Sequence, residues 1–341
     1  MYRIGIIGCG KIAQVRHIPE YLASGKAVIA AFYDLNKARA EELAKTYNAI
    51  AYDSVDALLE SGLDAVSVCT SNATHAEITI KALKKGISVL CEKPMAVNLE
   101  EAEAMAKAAA ESGKVLMIGQ NQRLNKTHRT ARDLIRRGDI GKVLSFRTIF
   151  GHGGPETWSI DPGKSTWFFD KSKARMGAMA DLGIHKTDLI DFLLDDTVSS
   201  VSASLSTLDK KDASGNLIGV DDNAICIYTM KKGAIGTMSA SWTYYGEEDN
   251  STTIYGTEGI MVIYGSSGHS ITVTAKDGSH IYYDIDRMQT NDAQTSSGVI
   301  DEFLLSLDRG WAEISADAVL PAMRAVFAAI ESSEQKKEVK I

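Results

Sequence analysis

Ile4-Gly5-Ile6-Ile7-Gly8-Cys9-Gly10-Lys11-Ile12-Ala13 decides the reading of the N-terminal part of the chain. An apolar run ends in G-x-G-x-x-A and passes directly into Ile12, Val15, Ile18 and Leu22 at helical spacing, so strand, tight turn and helix follow one another. Gly8 permits the tight turn, and Gly10 lets the backbone approach a pyrophosphate. Ala13 lets the helix lie close to the sheet. The helix start at Lys11 and Ile12, beside Cys9, favours negative charge.

Around this turn, short apolar runs alternate with helical segments up to about residue 120. Strands are expected at 3–7, 27–33, 64–69, 87–91 and 115–118, and helices at 11–24, 37–47, 74–85 and 98–112. The last helix opens on Asn98 with Glu101 three residues on, the pattern of a capping box. Strands rich in Val, Ile and Ala without polar alternation suit a sheet covered on both faces, and the alternation of β with α means a doubly wound parallel sheet. Residues 1–122 are therefore expected to form a dinucleotide-binding Rossmann domain. Residues 123–341 would form an α+β substrate domain with a large, mainly antiparallel open sheet. Its expected elements are a helix at 126–137, a strand at 142–150, a long loop at 151–175 and a helix at 178–194. Strands with two-residue periodicity follow from 198 to 285, then a helical tail at 298–333.

Composition narrows the classes. The 341 residues are 45% hydrophobic and 24% charged, which suits two soluble globular domains, and no apolar run reaches the roughly 20 residues of a membrane helix. The strand beginning at Tyr2 leaves no place for a signal peptide within this sequence, so a cytoplasmic protein is expected. Four scattered cysteines (Cys9, Cys69, Cys91, Cys226) without Cys/His spacing read as reduced thiols and not metal ligands, and a net charge of −7 argues against a nucleic-acid partner.

Asp34 closes the second strand. Its carboxylate would accept bonds from adenosine ribose hydroxyls and repel a 2′-phosphate, favouring NAD over NADP, although Lys37 and Arg39 lie near and Asp34 could simply cap the next helix. Thr70-Ser71-Asn72-Ala73-Thr74-His75 follows the strand ending at Cys69, and Glu92-Lys93-Pro94 closes the next one. Both turns sit at the C-terminal strand edge where ligands bind. Pro94 restricts Lys93 to extended backbone and so aims its side chain. Further on, Asp181 and His185 are four apart. If helical, they lie on one face, where a carboxylate-oriented imidazole is a fitting proton acceptor; a surface pair that merely supports the helix would look the same.

Taken together, G-x-G-x-x-A, Thr70-x-Asn72-x-x-His75, Glu92-Lys93-Pro94, Gly119-Gln120-Asn121-Gln122-Arg123-Leu124, and Asp181-x-Gly183-x-His185-x-x-Asp188 closely resemble the Gfo/Idh/MocA oxidoreductase family over nearly the whole chain. The resemblance implies NAD bound by the glycine turn, Asp34, Thr70, Ser71, Asn72, His75, Glu92, Lys93 and Asn121. It implies hydride transfer between nicotinamide and a sugar or polyol carbon, with Lys93 and His185 handling the proton and Asp181 supporting His185. A homodimer or homotetramer built through the C-terminal sheet is also implied. Arg123, Trp167 and His152 are candidate substrate contacts, each with an ordinary structural alternative. The chain departs from the family at Leu124, where an aromatic is commoner, and at Ser71, where proline is usual. Two other functions remain open at this point: a redox-neutral glycosidase that oxidises its sugar transiently, and a dinucleotide-binding regulator without catalysis.

Overall fold

The computed structural model describes residues 1–286 and 296–341. In the first unit, β1 (Tyr2–Ile7), α1 (Ile18–Ser24), β2 (Ala27–Tyr33), α2 (Lys37–Thr46), β3 (Ile50–Ala51), α3 (Val55–Leu59), β4 (Ala65–Val68), α4 (His75–Lys84), β5 (Ser88–Cys91), α5 (Leu99–Ser112) and β6 (Leu116–Ile118) alternate along the chain. All six strands are parallel, in the order β3-β2-β1-β4-β5-β6. Every residue of β4, β5 and β6 is buried, as a sheet with helices on both faces requires. The order reverses between β1 and β4, and a crevice opens there at the C-terminal strand edge. The short β3 and α3 are additions to the expected elements.

Gly8 sits at that reversal with φ of +92°, and a Cβ there would lie 2.6 Å from the Cys69 carbonyl. The turn after β1 and the end of β4 thus touch through backbone, which only glycine permits. The helix following the turn is wound more widely over Ala13–His17 before α1 begins. Such wide turns are concentrated at functional sites.

The second unit contains α6 (Lys126–Arg137), β7 (Val143–Gly151), α7 (Lys171–Ala174) and α8 (Ile184–Leu194). These are followed by β8 (Val198–Ser206), β9 (Asn223–Met230), β10 (Ile235–Ser241), β11 (Thr252–Gly256), β12 (Gly259–Ile263), β13 (Ile271–Ala275) and β14 (His280–Tyr283). The chain closes with α9 (Val299–Arg309), α10 (Ala316–Gln335) and β15 (Val339–Lys340). The expected single helical tail is interrupted at Gly310, whose left-handed backbone ends α9; Ser315 then caps α10 by accepting the Ala318 N–H.

The described strands form a nine-stranded sheet, β14-β13-β12-β11-β7-β10-β9-β8-β15, antiparallel except where β10 runs beside β7. The alternation read in the sequence has a clear meaning here. Ala224, Cys226, Tyr228 and Met230 point into the core, while Ile225, Ile227 and Ile235 stand on the opposite face, each more than half exposed. Helix α8 is buried on all sides from Ile184 to Leu193, which fixes the side chains it carries.

The C-terminal helices also return to the first unit. The Tyr2 hydroxyl donates to Asp308 of α9 (2.8 Å), and Glu20 of α1 accepts the Ser297 (2.6 Å) and Ile300 (3.3 Å) N–H groups. Helix α10 packs on α5 and β6 as well as on β8. No described helix is long and apolar enough to cross a membrane.

Candidate active site

One cleft runs from the glycine turn, along the ends of β4 and β5, to the start of α8. On the nucleotide side it is lined by Gly10, Lys11 and Ile12, and a Cβ on Gly10 would meet nothing within 4 Å. The main chain at Gly10 can therefore be approached closely, as a pyrophosphate requires. Gly8, Cys9 and Ala13 shape the turn from behind and do not line the cleft. Burial, then the Asp34 charge, pushes the Cys9 thiol up to about 12, so it is an inert packing group. Asp34 also lies outside the lining. Its carboxylate accepts the Cys9 N–H (2.6 Å) and the Asn36 N–H (2.7 Å), locking the glycine turn to the end of β2. The cap of α2 is Asn36, through the Arg39 N–H. These features fit a bound dinucleotide: an open glycine cradle, and a carboxylate whose remaining lone pairs sit at the neighbouring strand end.

Thr70, Asn72 and His75 line the cleft, whereas Ser71 does not. The Asn72 amide is turned to the Ala174 carbonyl at the end of α7 (2.9 Å), tying the two units together. The buried His75 ring lies between the carbonyls of Pro94 (2.8 Å) and Thr70 (3.0 Å), so it holds two turns in place. Glu92 is buried against His17 (2.8 Å) and Arg16 (3.4 Å) of the first helix. Burial alone would raise its pKa, but the His17 hydrogen bond and the Arg16, His17 and Lys93 charges bring it down to about 2. Both residues border the cleft, and their polar atoms are largely committed to the protein. Asn121 differs: its Oδ1 is buried without a partner at the cleft wall.

Lys93 directly follows Glu92, and the Lys93–Pro94 bond is cis. Its Nζ donates to Asp181 Oδ1 (2.7 Å) and to the Asp181 carbonyl (2.8 Å). The other Asp181 oxygen accepts the Trp242 indole N–H (3.1 Å). Here the expectation from i,i+4 spacing is corrected: no hydrogen bond joins Asp181 to His185. Residues Met179–Gly183 form wide π-type turns before α8, and the Asp181 carboxylate is engaged by a lysine and a tryptophan distant in sequence. Burial opposes ionisation of Asp181, yet the Lys93 charge, aided by His152 and Trp242, keeps its pKa below the usual value.

His185 is 8% exposed, and its Nδ1 is buried without a partner, leaving Nε2 open to the cleft. Burial, then the Lys93 charge, pushes its pKa well below 6.5, so the ring is neutral at pH 7. His152 and Trp167 also line the cleft. Arg123 does not. Its guanidinium makes a bidentate pair with Asp188 (2.7 and 2.6 Å) and donates to the Ala318 carbonyl (2.9 Å), so the substrate-contact expectation is replaced by an anchor joining α8 to α10. Sequence reasoning missed Gln122, Trp158, Glu248 and Asn250, all of which line the cleft. Gln122 stood within the segment quoted above; Glu248 and Asn250 carry no local signal.

Residues 2–120 match the model for the oxidoreductase family with an NAD-binding Rossmann fold, and residues 128–262 match the GFO/IDH/MocA C-terminal domain. A glucose-6-phosphate 3-dehydrogenase of Bacillus subtilis (strain 168) is 33% identical over 227 residues, 66% of this chain; the chain spans only 63% of that relative's length. A 1,5-anhydro-D-fructose reductase of Ensifer adhaerens is 30% identical over 264 residues, covering 77% of this chain and 75% of that protein. A solved levoglucosan dehydrogenase, in complex with NADH and levoglucosan, has the same fold over 100% of this chain and 99% of that one, with a TM-score of 0.86 at 24% identity. With the parallel sheet, its glycine cradle and the nine-stranded partner sheet already in view, these matches establish that the chain belongs to the Gfo/Idh/MocA oxidoreductase family and carries its NAD-binding Rossmann domain.

Proposed function

We propose that the protein is an NAD-dependent dehydrogenase that moves a hydride between nicotinamide and a CH–OH or C=O carbon of a sugar or polyol. The observation that carries this reading is the meeting of Lys93 and His185 in one cleft with the glycine cradle at its far end. Relatives named for sugar oxidation or reduction support the substrate class. The carboxylate of Asp34 and the tie of Arg39 to Asp161 (2.7 Å) favour NAD over NADP: a 2′-phosphate would meet a negative charge while the nearest arginine is occupied.

Bound NAD supplies the hydride acceptor, and the chain supplies position and proton handling. A substrate hydroxyl held between Lys93 and His185 would donate to His185 Nε2, which is neutral and open to the cleft. The Lys93 ammonium would stabilise the alkoxide as it develops. Asp181 is a positioning residue in this scheme. Its two oxygens hold Lys93 against Trp242, and the Lys93 charge in turn keeps His185 free of a proton. In the reverse direction the imidazolium returns the proton to the forming hydroxyl.

The exposed Ile225, Ile227 and Ile235 face supports self-association through the nine-stranded sheet. Sedimentation of the purified chain, against an Ile225→Lys/Ile227→Lys variant, tests this; an unchanged sedimentation coefficient would count against it. The function itself is tested by following NADH and NADPH absorbance with inositols, aldoses, anhydrosugars and sugar acids. Reduction of NAD with at least one neutral sugar is expected. No turnover in either direction across the panel would contradict the proposal.

A further inference from the structure

Directly after His185, helix α8 carries a lysine for which the hydride scheme has no use. Lys186 is fully buried, and its Nζ donates to a neutral partner, the Asn250 carbonyl (2.8 Å). Burial draws its pKa down to about 7; the Asp249 and Glu248 charges oppose this without a hydrogen bond. An ammonium held away from water against a carbonyl is costly, whereas an apolar side chain of similar size would fill the space without that penalty. Packing does not explain the choice of lysine here. What it touches does.

Its neighbours form a polar part of the cleft lining. Gly151, at the end of β7, exchanges backbone hydrogen bonds with Asp249 (2.8 and 3.0 Å), which brings Asn250 to the cleft. Gln122 Nε2 reaches Asn250 Oδ1 at 3.4 Å, and Gln122 Oε1, in the same lining, is buried with no partner. Behind it, the Gln122 carbonyl accepts from His128 Nδ1 (2.9 Å). Burial, then the Lys186 charge, takes the His128 pKa down to about 3, so that ring is neutral at pH 7 with its hydrogen on Nδ1. Phe150, also in the lining, has its ring 5.9 Å from Lys186 Nζ and 6.0 Å from the His185 ring. One buried cation thus holds Asn250 directly and acts by its charge on the histidine that supports Gln122.

We propose that Lys186 is a positioning residue: from beneath the cleft it fixes the Asn250–Gln122 amide pair so that the pair can hold a substrate hydroxyl. This rests on the dehydrogenase reading above and adds to it the residue that shapes the polar side of the substrate site. Lys186 does not line the cleft, so its removal should act on substrate affinity and leave the proton handling by Lys93 and His185 in place. The test uses the full chain, loaded with NADH for binding and with NAD for turnover. Glucose, myo-inositol and levoglucosan are the probes, with binding read by calorimetric titration. Lys186→Met, Asn250→Ala and the double variant are compared with wild type.

For the probe that wild type binds most tightly, Lys186→Met should weaken binding by about tenfold, the weight of one lost hydrogen bond, and raise KM in step. Its kcat should stay within about threefold of wild type. Its melting temperature should be equal or higher, because a buried ammonium has been exchanged for an apolar chain. In the Asn250→Ala background the same change should add less than about twofold, since both act through one amide pair. Four results would each overturn the proposal: unchanged affinity in Lys186→Met, a loss of kcat with KM unchanged, a full tenfold added on top of Asn250→Ala, or a lowered melting temperature. Failure of wild type to bind any of the three probes would overturn it as well. Binding that weakens as stated while no NADH is formed would leave the role of Lys186 standing and remove the dehydrogenase reading.

Discussion

Replacing Glu92 with glutamine tests the electrostatic frame that places Lys93. The Glu92 carboxylate drops from its ordinary 4.5 to about 2 in the folded chain because His17 and Arg16 close on it inside the protein. A shift of about 2.5 units at 1.36 kcal/mol per unit corresponds to about 3 kcal/mol of stability at pH 7. A depressed carboxylate contributes fully above its unfolded pKa and loses that contribution as pH falls through the folded one, so the window is about pH 4.5 down to 2. Glu92→Gln should therefore destabilise by about 3 kcal/mol at pH 7, with more added by the Arg16 charge left buried. At roughly 2.1 cal/mol/K per residue the whole chain has an unfolding entropy near 0.7 kcal/mol/K, so the melting temperature should fall by about 4–5 °C. Calorimetry of both proteins at pH 7 and pH 5 should show nearly the same gap; near pH 3 it should be smaller by about 2 kcal/mol. A gap under about 1 kcal/mol at pH 7, or one that is constant from pH 7 to pH 3, would refute the reasoning.

Three further outcomes are expected. Gly8→Ala should abolish NAD binding or folding, since φ of +92° and a 2.6 Å approach to Cys69 leave no room for a methyl; fluorescence titration with NADH reads this, and near-normal affinity would contradict it. Arg123→Ala should cost roughly 3–5 kcal/mol in denaturant unfolding because Asp188 stays buried without its partner. Its KM should change little, whereas a KM increase with unchanged stability would restore Arg123 as a substrate contact. The oxidative rate should show no His185 titration near pH 6.5, because burial and Lys93 keep that imidazole neutral far into acid; a limb at 6.5 that disappears in His185→Asn would argue otherwise.

The first unit was readable because its signals are local. Buried parallel strands leave unbroken runs such as Ala65–Val68, and the glycine turn must lie between one such run and a helix. The two-residue β3 and five-residue α3 are too short to show a period. What could not be read was where side chains go once the sheets assemble. Asp181 meets Lys93 and Trp242 across 88 and 61 positions, and the π-type turns at Met179–Gly183 void the i,i+4 argument that paired it with His185. Arg123 finds Asp188 65 positions away. Glu248 and Asn250 reach the cleft only because β7 and β11 pair and bring their loop beside α8.

The most direct test of the account is single-turnover hydride transfer. Wild type, Lys93→Met and His185→Asn would be saturated with NAD, mixed with a carbon-deuterated sugar found in the screen, and assayed for deuterated NADH, with NAD affinity measured on the same samples. The account predicts that both variants bind NAD within about threefold of wild type and transfer deuterium about 10² times more slowly or less. Transfer at wild-type rates in both variants, or turnover that leaves no deuterium on the nicotinamide, would contradict it.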